Sequence, residues 1–213
     1  MSYLLRVELP DIPGSLGRLA SAIGAAGANI DAIEIVGRDG ARQLAIDDVF
    51  IAPDAEVMPD SIVSACNSLD GVKVLWISRY AAGGNLFLDL EAVESMTEDP
   101  VKAIERLVDS LPTVFRVDWG VHLRRDGETA SVVHGTPSAP TEIPDKILWP
   151  ENLEKGQRID VPDVWSDLVV AGSPLNSDEL VVVGRRGGPE FLDSEIARLA
   201  HLIAMAASLH RNA

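Results

Sequence analysis

A single cysteine, Cys66, stands in 213 residues. It has no partner for an internal disulfide and none for a Cys-rich metal site. No run approaches the roughly 18 uninterrupted apolar residues that span a bilayer, so no membrane contact is expected. The start of the chain lacks the basic region and long apolar run of a secretory signal, and cytoplasmic residence is the expectation. Cations are scarce. Lys and Arg total 18 against 33 Asp and Glu, for a formal net charge of −15. A surface this acidic repels phosphate backbones, which argues against direct nucleic-acid binding. The basic pairs Arg124-Arg125 and Arg185-Arg186 sit at turns, where solvated side chains are expected.

Catalytic signatures are missing as well. His122, His134, His201 and His210 show no metal-ligand spacing. There is no Gly-x-x-x-x-Gly-Lys phosphate loop, and Gly184–Pro189, although glycine-rich, reads as a loop. Ser131 and Ser173 lack a nucleophile elbow. No catalytic residue, cofactor or metal is expected.

What is present is an ordinary globular composition, 46% hydrophobic and 24% charged. The length suits one large domain or two small ones. Arg in excess of Lys, with abundant Ala and Gly, fits a bacterial source with a GC-rich genome.

The first 80 residues read as strand, helix, strand, strand, helix, strand. Tyr3–Leu9 is the first strand. Leu16, Leu19, Ala20 and Ile23 give one apolar face to a helix over Gly14–Ala26, closed by Gly27. Asn29–Val36 and Gln43–Ala52 are strands joined at the hairpin signal Gly37-Arg38-Asp39-Gly40. A second helix from Pro59 or Asp60 carries Ile62, Val63, Cys66 and Leu69, with Cys66 read as core. Val72–Arg79 is the fourth strand. This order makes an antiparallel four-stranded sheet with both helices on one face, the ferredoxin-like arrangement. Apolar residues on both faces predict that the open face or an edge is covered by another copy.

Ala81-Ala82-Gly83-Gly84-Asn85 reads as a linker. A helical region from Leu86 to about Leu111 follows, divided at Pro100. Val114–Arg124 alternates as a strand and turns at Arg125–Glu128 into Thr129–His134. Gly135–Pro150 is a long irregular loop; with His134, Trp149 and Trp165 it either lines a cavity or adds aromatics to the core. Leu168–Pro174 and Glu179–Arg185 are paired strands. Phe191–Leu209 is a closing helix whose Ile196, Leu199, Ile203 and Ala206 suit packing on the sheet or on a symmetry mate.

The stretch with the most chemistry is Leu9 to Leu16. Pro13 fixes φ and forgoes only an N–H that a first helical turn leaves unpaired. Gly14 has no Cβ, so a ligand or another chain can approach the backbone. The free N–H groups and positive end of the helix suit a carboxylate. Asp11 stands where it can pair with an ammonium. The simpler reading of the same residues is a helix start capped by Asp11.

Asp11-x-Pro13-Gly14-x-Leu16 between strand and helix, then Gly27-Ala28-Asn29-Ile30 opening the second strand, resembles the ACT domain, a regulatory amino-acid-binding module. The resemblance covers roughly residues 2–80. It implies a ligand site between two ACT units, with Asp11, Ile12, Pro13, Gly14, Ser15 and Leu16 on one side and Asn29 and Ile30 on the other. Ile12 departs from the basic or polar residue many members carry there. The second half resembles a GAF domain, on Gly156–Asp163, the hairpin Leu168–Pro174/Glu179–Val183, and Phe191, Glu195 and Leu199 opening the last helix.

The expectation is therefore an α+β chain: a ferredoxin-like βαββαβ sandwich over 1–80, a linker over 81–85, and a GAF-like antiparallel sheet flanked by helices over 86–213. Its expected role is a non-catalytic sensor of a small-molecule effector, an amino acid, working as a homo-oligomer, at least a dimer, with an unidentified protein partner. The alternatives are a ligand-free dimerisation scaffold and an enzyme with an unrecognised site in the second half.

Overall fold

Leu5, Val7 and Leu9 alternate along the first strand and all three are buried, which commits one face of that strand to a core. The computed structural model describes residues 2–80, 84–127, 129–140, 149, 155–161 and 167–213. The chain divides into two compact units, Met1–Ala82 and Gly83–Ala213.

In the first unit β1 (Ser2–Pro10), β2 (Ala28–Asp39), β3 (Leu44–Pro53) and β4 (Lys73–Tyr80) form an antiparallel sheet of order β2-β3-β1-β4. Helices α1 (Ser15–Ala25) and α2 (Pro59–Asn67) complete the βαββαβ order. Leu19 and Ile23 of α1 and Ile62 and Cys66 of α2 pack on Leu5, Val7, Leu9, Ala45, Val49 and Ile51. Burial pushes the Cys66 thiol up to about 11, so it stays protonated and inert, as core.

The β2–β3 hairpin differs from the sequence reading. Gly37 pairs with Ile46 beyond a bulge, and β2 runs on to Asp39, which pairs with Leu44. The turn is therefore displaced to residues 40–43, because the ladder tolerates a glycine at a bulge.

The opposite face of this sheet carries an ion pair. Arg6 Nε donates to Asp48 Oδ1 at 2.7 Å and its Nη2 to Oδ2 at 2.8 Å. The two residues stand opposite each other on β1 and β3, and both are buried.

The second unit holds a five-stranded sheet of order β6-β5-β9-β8-β7, built from β5 (Trp119–Asp126), β6 (Thr129–Gly135), β7 (Gln157–Ile159), β8 (Leu168–Pro174) and β9 (Glu179–Arg186). Its paired strands are antiparallel. Helices α3 (Gly84–Glu98), α4 (Ala103–Phe115) and α5 (Asp193–Arg211) supply most of a core that also takes Ala171, Val181 and Val183 from the sheet. This is the sheet flanked by helices that the sequence leads one to expect.

Four details were misread. Residues 81–83 of the expected linker lie outside the described residues, and Gly84 and Asn85 already open α3. Val114 and Phe115 are not strand: they extend the apolar face of α4 set by Ile104, Leu107, Val108 and Leu111, and α4 ends where Arg116 turns left-handed at φ 50°. β9 runs to Arg186, one residue past the strand read over Glu179–Arg185, so the glycine-rich run read as a loop overlaps the strand as far as Arg186. Arg185 is not solvated. It is 2% exposed, makes a two-pronged contact with Glu195 at 3.2 and 3.3 Å, and stacks 4.1 Å from the centre of the Phe191 ring.

The apolar seam of α5, Ile196, Leu199, Ile203 and Ala206, is spent inside the unit against α4 and β8. Of the two roles open to it in the sequence, packing within its own unit is the one realised.

Candidate functional site

The β1–α1 turn is held by backbone. Asp11 N–H donates to the Gln43 carbonyl at 2.8 Å and Ile12 N–H to the Pro10 carbonyl at 2.9 Å. Gly14 is the residue before the helix, with φ 91° and ψ −12°, a conformation that favours glycine. Nothing lies within 4 Å of where a Cβ on Gly14 would be, so the backbone there is open.

No side chain caps α1. Asp11, the expected cap in the simpler reading, makes no capping bond; its Oδ2 lies 3.5 Å from Arg38 Nε. Both side chains are largely exposed, and such a pair is weakly held. Ser15 is buried and accepts from Arg18 Nη2 at 3.2 Å. Ile12 and Leu16 are exposed apolar residues, as is Ile35 on β2. Pro13 is exposed in the turn.

Asn29 and Ile30 are not beside this turn in one copy of the unit. Asn29 pairs with Ala52, whereas Asp39, at the turn's end of β2, pairs with Leu44. Eight residues of β3 separate those levels, about 26 Å at strand rise. Asn29 is exposed, and Ile30 packs partly on the core. The turn 11–16 is thus one cluster, and 29–30 is another at the far end of the same sheet.

Two charged residues that sequence reading did not select join the first cluster. Arg38 is one. The other is Asp47, 3% exposed, whose Oδ1 has no hydrogen-bond partner. Burial, then the neighbouring Asp11, raises its carboxyl above the ordinary 3.8, while Arg38 opposes the rise. A signal was present in the alternation: Ala45, Val49 and Ile51 are core, and an acid shares their parity.

Residues 3–61 match the ACT domain. The match covers the turn, Asn29-Ile30 and the two strands that bear Arg38 and Asp47, so both clusters lie within the ACT unit. No curated protein is similar to the chain. Among solved structures, the GAF domain of an Acinetobacter phosphoenolpyruvate-protein phosphotransferase has 10% identity, covering 62% of this chain and 95% of that one, with a TM-score of 0.45. A GAF domain/HD domain protein from Geobacter sulfurreducens has 20% identity, covering 55% and 95%, with a TM-score of 0.44. The chromophore-binding domain of a Stigmatella aurantiaca bacteriophytochrome has 12% identity, covering 83% and 68%, with a TM-score of 0.47.

The ACT unit is followed by a second unit whose described residues form cavities. One of about 600 Å³ lies between β7, β8 and α5, lined by Arg158, Ser173, Ile196, Ala200 and His201 among others. Another of about 630 Å³ is lined by Asp118, Trp119, Asp167 and Arg186 among others. Neither is lined by His134 or Trp149. His134 Nε2 is 2.8 Å from Asp109 Oδ1, and Trp149 packs on the sheet with Arg125 over its ring. Trp165 lies outside the described residues. Among the described residues no group of three or more His, Cys, Asp or Glu could hold a metal, and no helix is long and apolar enough to cross a membrane.

His122 is buried in this second unit, with Nε2 unpartnered and 3.6 Å from Glu179 Oε2. Burial holds its pKa below the ordinary 6.5 against the pull of Glu179. The unfolded chain therefore takes up this proton first. The contribution of His122 to stability is complete above about pH 6.5 and is lost as pH falls from there through the lowered folded value. His122→Gln is expected to flatten the acid limb of stability in a pH series of urea midpoints. An unchanged limb would remove His122 as its source.

Proposed function

We propose that the chain is a non-catalytic sensor that binds an amino acid between paired ACT units. ACT domains are typically small-molecule-binding regulatory modules. The observation that carries the reading is an uncapped helix start, opened by Gly14, beside the exposed Asp11–Arg38 pair. Donors for a carboxylate and an acceptor for an ammonium lie in one turn.

The second half of the pocket comes from another copy. β2 is an edge strand of the sheet, paired with β3 on one side. If two copies pair antiparallel along β2, a two-fold axis carries the Asn29 end of one strand to the Asp39 end of the other. Asn29 and Ile30 of one copy then approach the 11–16 turn of its mate, which the separation within a single sheet forbids. The working unit is a homodimer or larger, resident in the cytoplasm. The second unit passes the occupancy of this site to a protein partner, by whatever difference in affinity the two states offer the ligand.

A thermal-shift screen of the twenty amino acids tests this. A ligand at a hundredfold excess over Kd is expected to add roughly 2.7 kcal/mol to stability. Asp11→Ala and Asn29→Ala are each expected to abolish the shift while melting near the parent. No shift from any amino acid at millimolar concentration would leave the ligand-free scaffold as the better reading.

A further inference from the structure

Asp47 is a carboxylate on a face built for hydrocarbon. Val7 on β1 and Ile35 on β2 stand directly opposite it, and directly paired residues share a face of the sheet. Ala45 and Val49 flank it on the same side of β3 and belong to the core under the helices. Its Oδ1 is buried with no donor. Such a group is costly to retain, and each one in a folded protein asks for an explanation. Among described residues the charges beside it are Asp11 from the turn, Arg38 from β2 and Asp48 from its own strand.

Arg38 is a cation that acts on both acids, and it is held only loosely by Asp11. The arrangement is therefore two carboxylates, one of them buried with an unbonded Oδ1, with a loosely held guanidinium and an uncapped helix start beside them. Ile12 and Leu16 in the turn and first helical residues, and Ile35, opposite Asp47 on β2, are each exposed by more than a third.

We propose that Asp47 anchors the ammonium of the ligand, and that the ligand is an α-amino acid with an apolar side chain. The proposal rests on the amino-acid reading above and gives it a residue and a ligand class. The ligand –NH3+ lies beside Asp11 and reaches Asp47 as Arg38 swings from Asp11 onto the ligand carboxylate, which also takes the first turn of α1. The side chain covers Ile12, Leu16 and Ile35. An ammonium supplies the donor that Asp47 lacks and neutralises two acids that repel each other. Asp11 and Asp47 hold the ammonium together, and Asp47, the buried one of the two, discriminates, because leaving a buried charged acceptor without its donor is costly.

The test titrates the full chain with leucine, valine and methionine, and with 2-hydroxyisocaproate, the hydroxy analogue of leucine, by calorimetry. The parent is expected to bind at least one of the three amino acids. If that one is leucine, the hydroxy acid is expected to bind about tenfold or more weakly. Asp47→Asn keeps the shape and removes the charge. It is expected to lose about tenfold or more in affinity for the amino acid and most of its preference over the hydroxy analogue, while melting at or above the parent. Equal affinity of Asp47→Asn and the parent would overturn the assignment and leave the sensor reading standing. Binding confined to amino acids with charged side chains would overturn the apolar class. No binding of any amino acid to the parent would overturn the sensor reading, and this inference with it.

Discussion

Asp48→Ala is expected to cost the first unit about 3–5 kcal/mol, the usual loss when one partner of a buried ion pair is removed. Arg6 and Asp48 are 2% and 1% exposed and share two short hydrogen bonds. Without Asp48 the Arg6 guanidinium keeps the Trp76 ring, 5.9 Å from its carbon, but loses the two hydrogen bonds and the charge of that carboxylate. The loss is a large share of the roughly 5–15 kcal/mol that holds a typical domain together. Urea denaturation measures it as a lower midpoint. The double variant Arg6→Met/Asp48→Leu is expected to regain most of the loss, because a packed apolar pair often matches a buried ion pair. A single variant as stable as the parent would mean that water reaches Arg6 and the pair is not buried in solution.

Gly184→Ala is expected to cost about 3 kcal/mol in the second unit. Gly184 and Trp119 are partners across β9 and β5, and a Cβ on Gly184 would overlap the six-membered ring of Trp119. The ring is 4% exposed and packs with Val121, Leu180 and Val182, so it has no free direction in which to retreat. Trp119→Leu in the same chain is expected to relieve the overlap and recover part of the loss. Equal urea midpoints for Gly184→Ala and the parent would show that the centre of the sheet shifts freely at this pair.

Much of the fold was legible because its signals were local and repeated. Leu16, Leu19 and Ile23 mark α1, the β1 alternation marks a half-buried strand, and Pro100 divides α3 from α4. What escaped the sequence needed a third dimension. Val114 and Phe115 have strand-like chemistry, but the α4 face they complete outweighs their local preference. Arg185-Arg186 looks like a solvated pair; Glu195, ten residues on, is what draws Arg185 inward. At the site, the turn was readable from Asp11, Pro13 and Gly14. Arg38 was not, and of Asp47 only its parity with Ala45 and Val49 was, because only the register of β2 and β3 brings the two beside Asp11. The separation of Asn29 from the turn is invisible in a motif, and plain once the strands are paired.

That separation has a consequence for how such a sensor would be tuned. When each copy holds two half-sites that cannot meet, two-fold pairing completes both at once or neither. Occupancy is then second order in the protein: diluting the chain should abolish the response at constant ligand, and making more of it should lower the ligand level that triggers it. The cell would set its threshold for the effector through the abundance of the chain, with no change to any residue that touches the ligand.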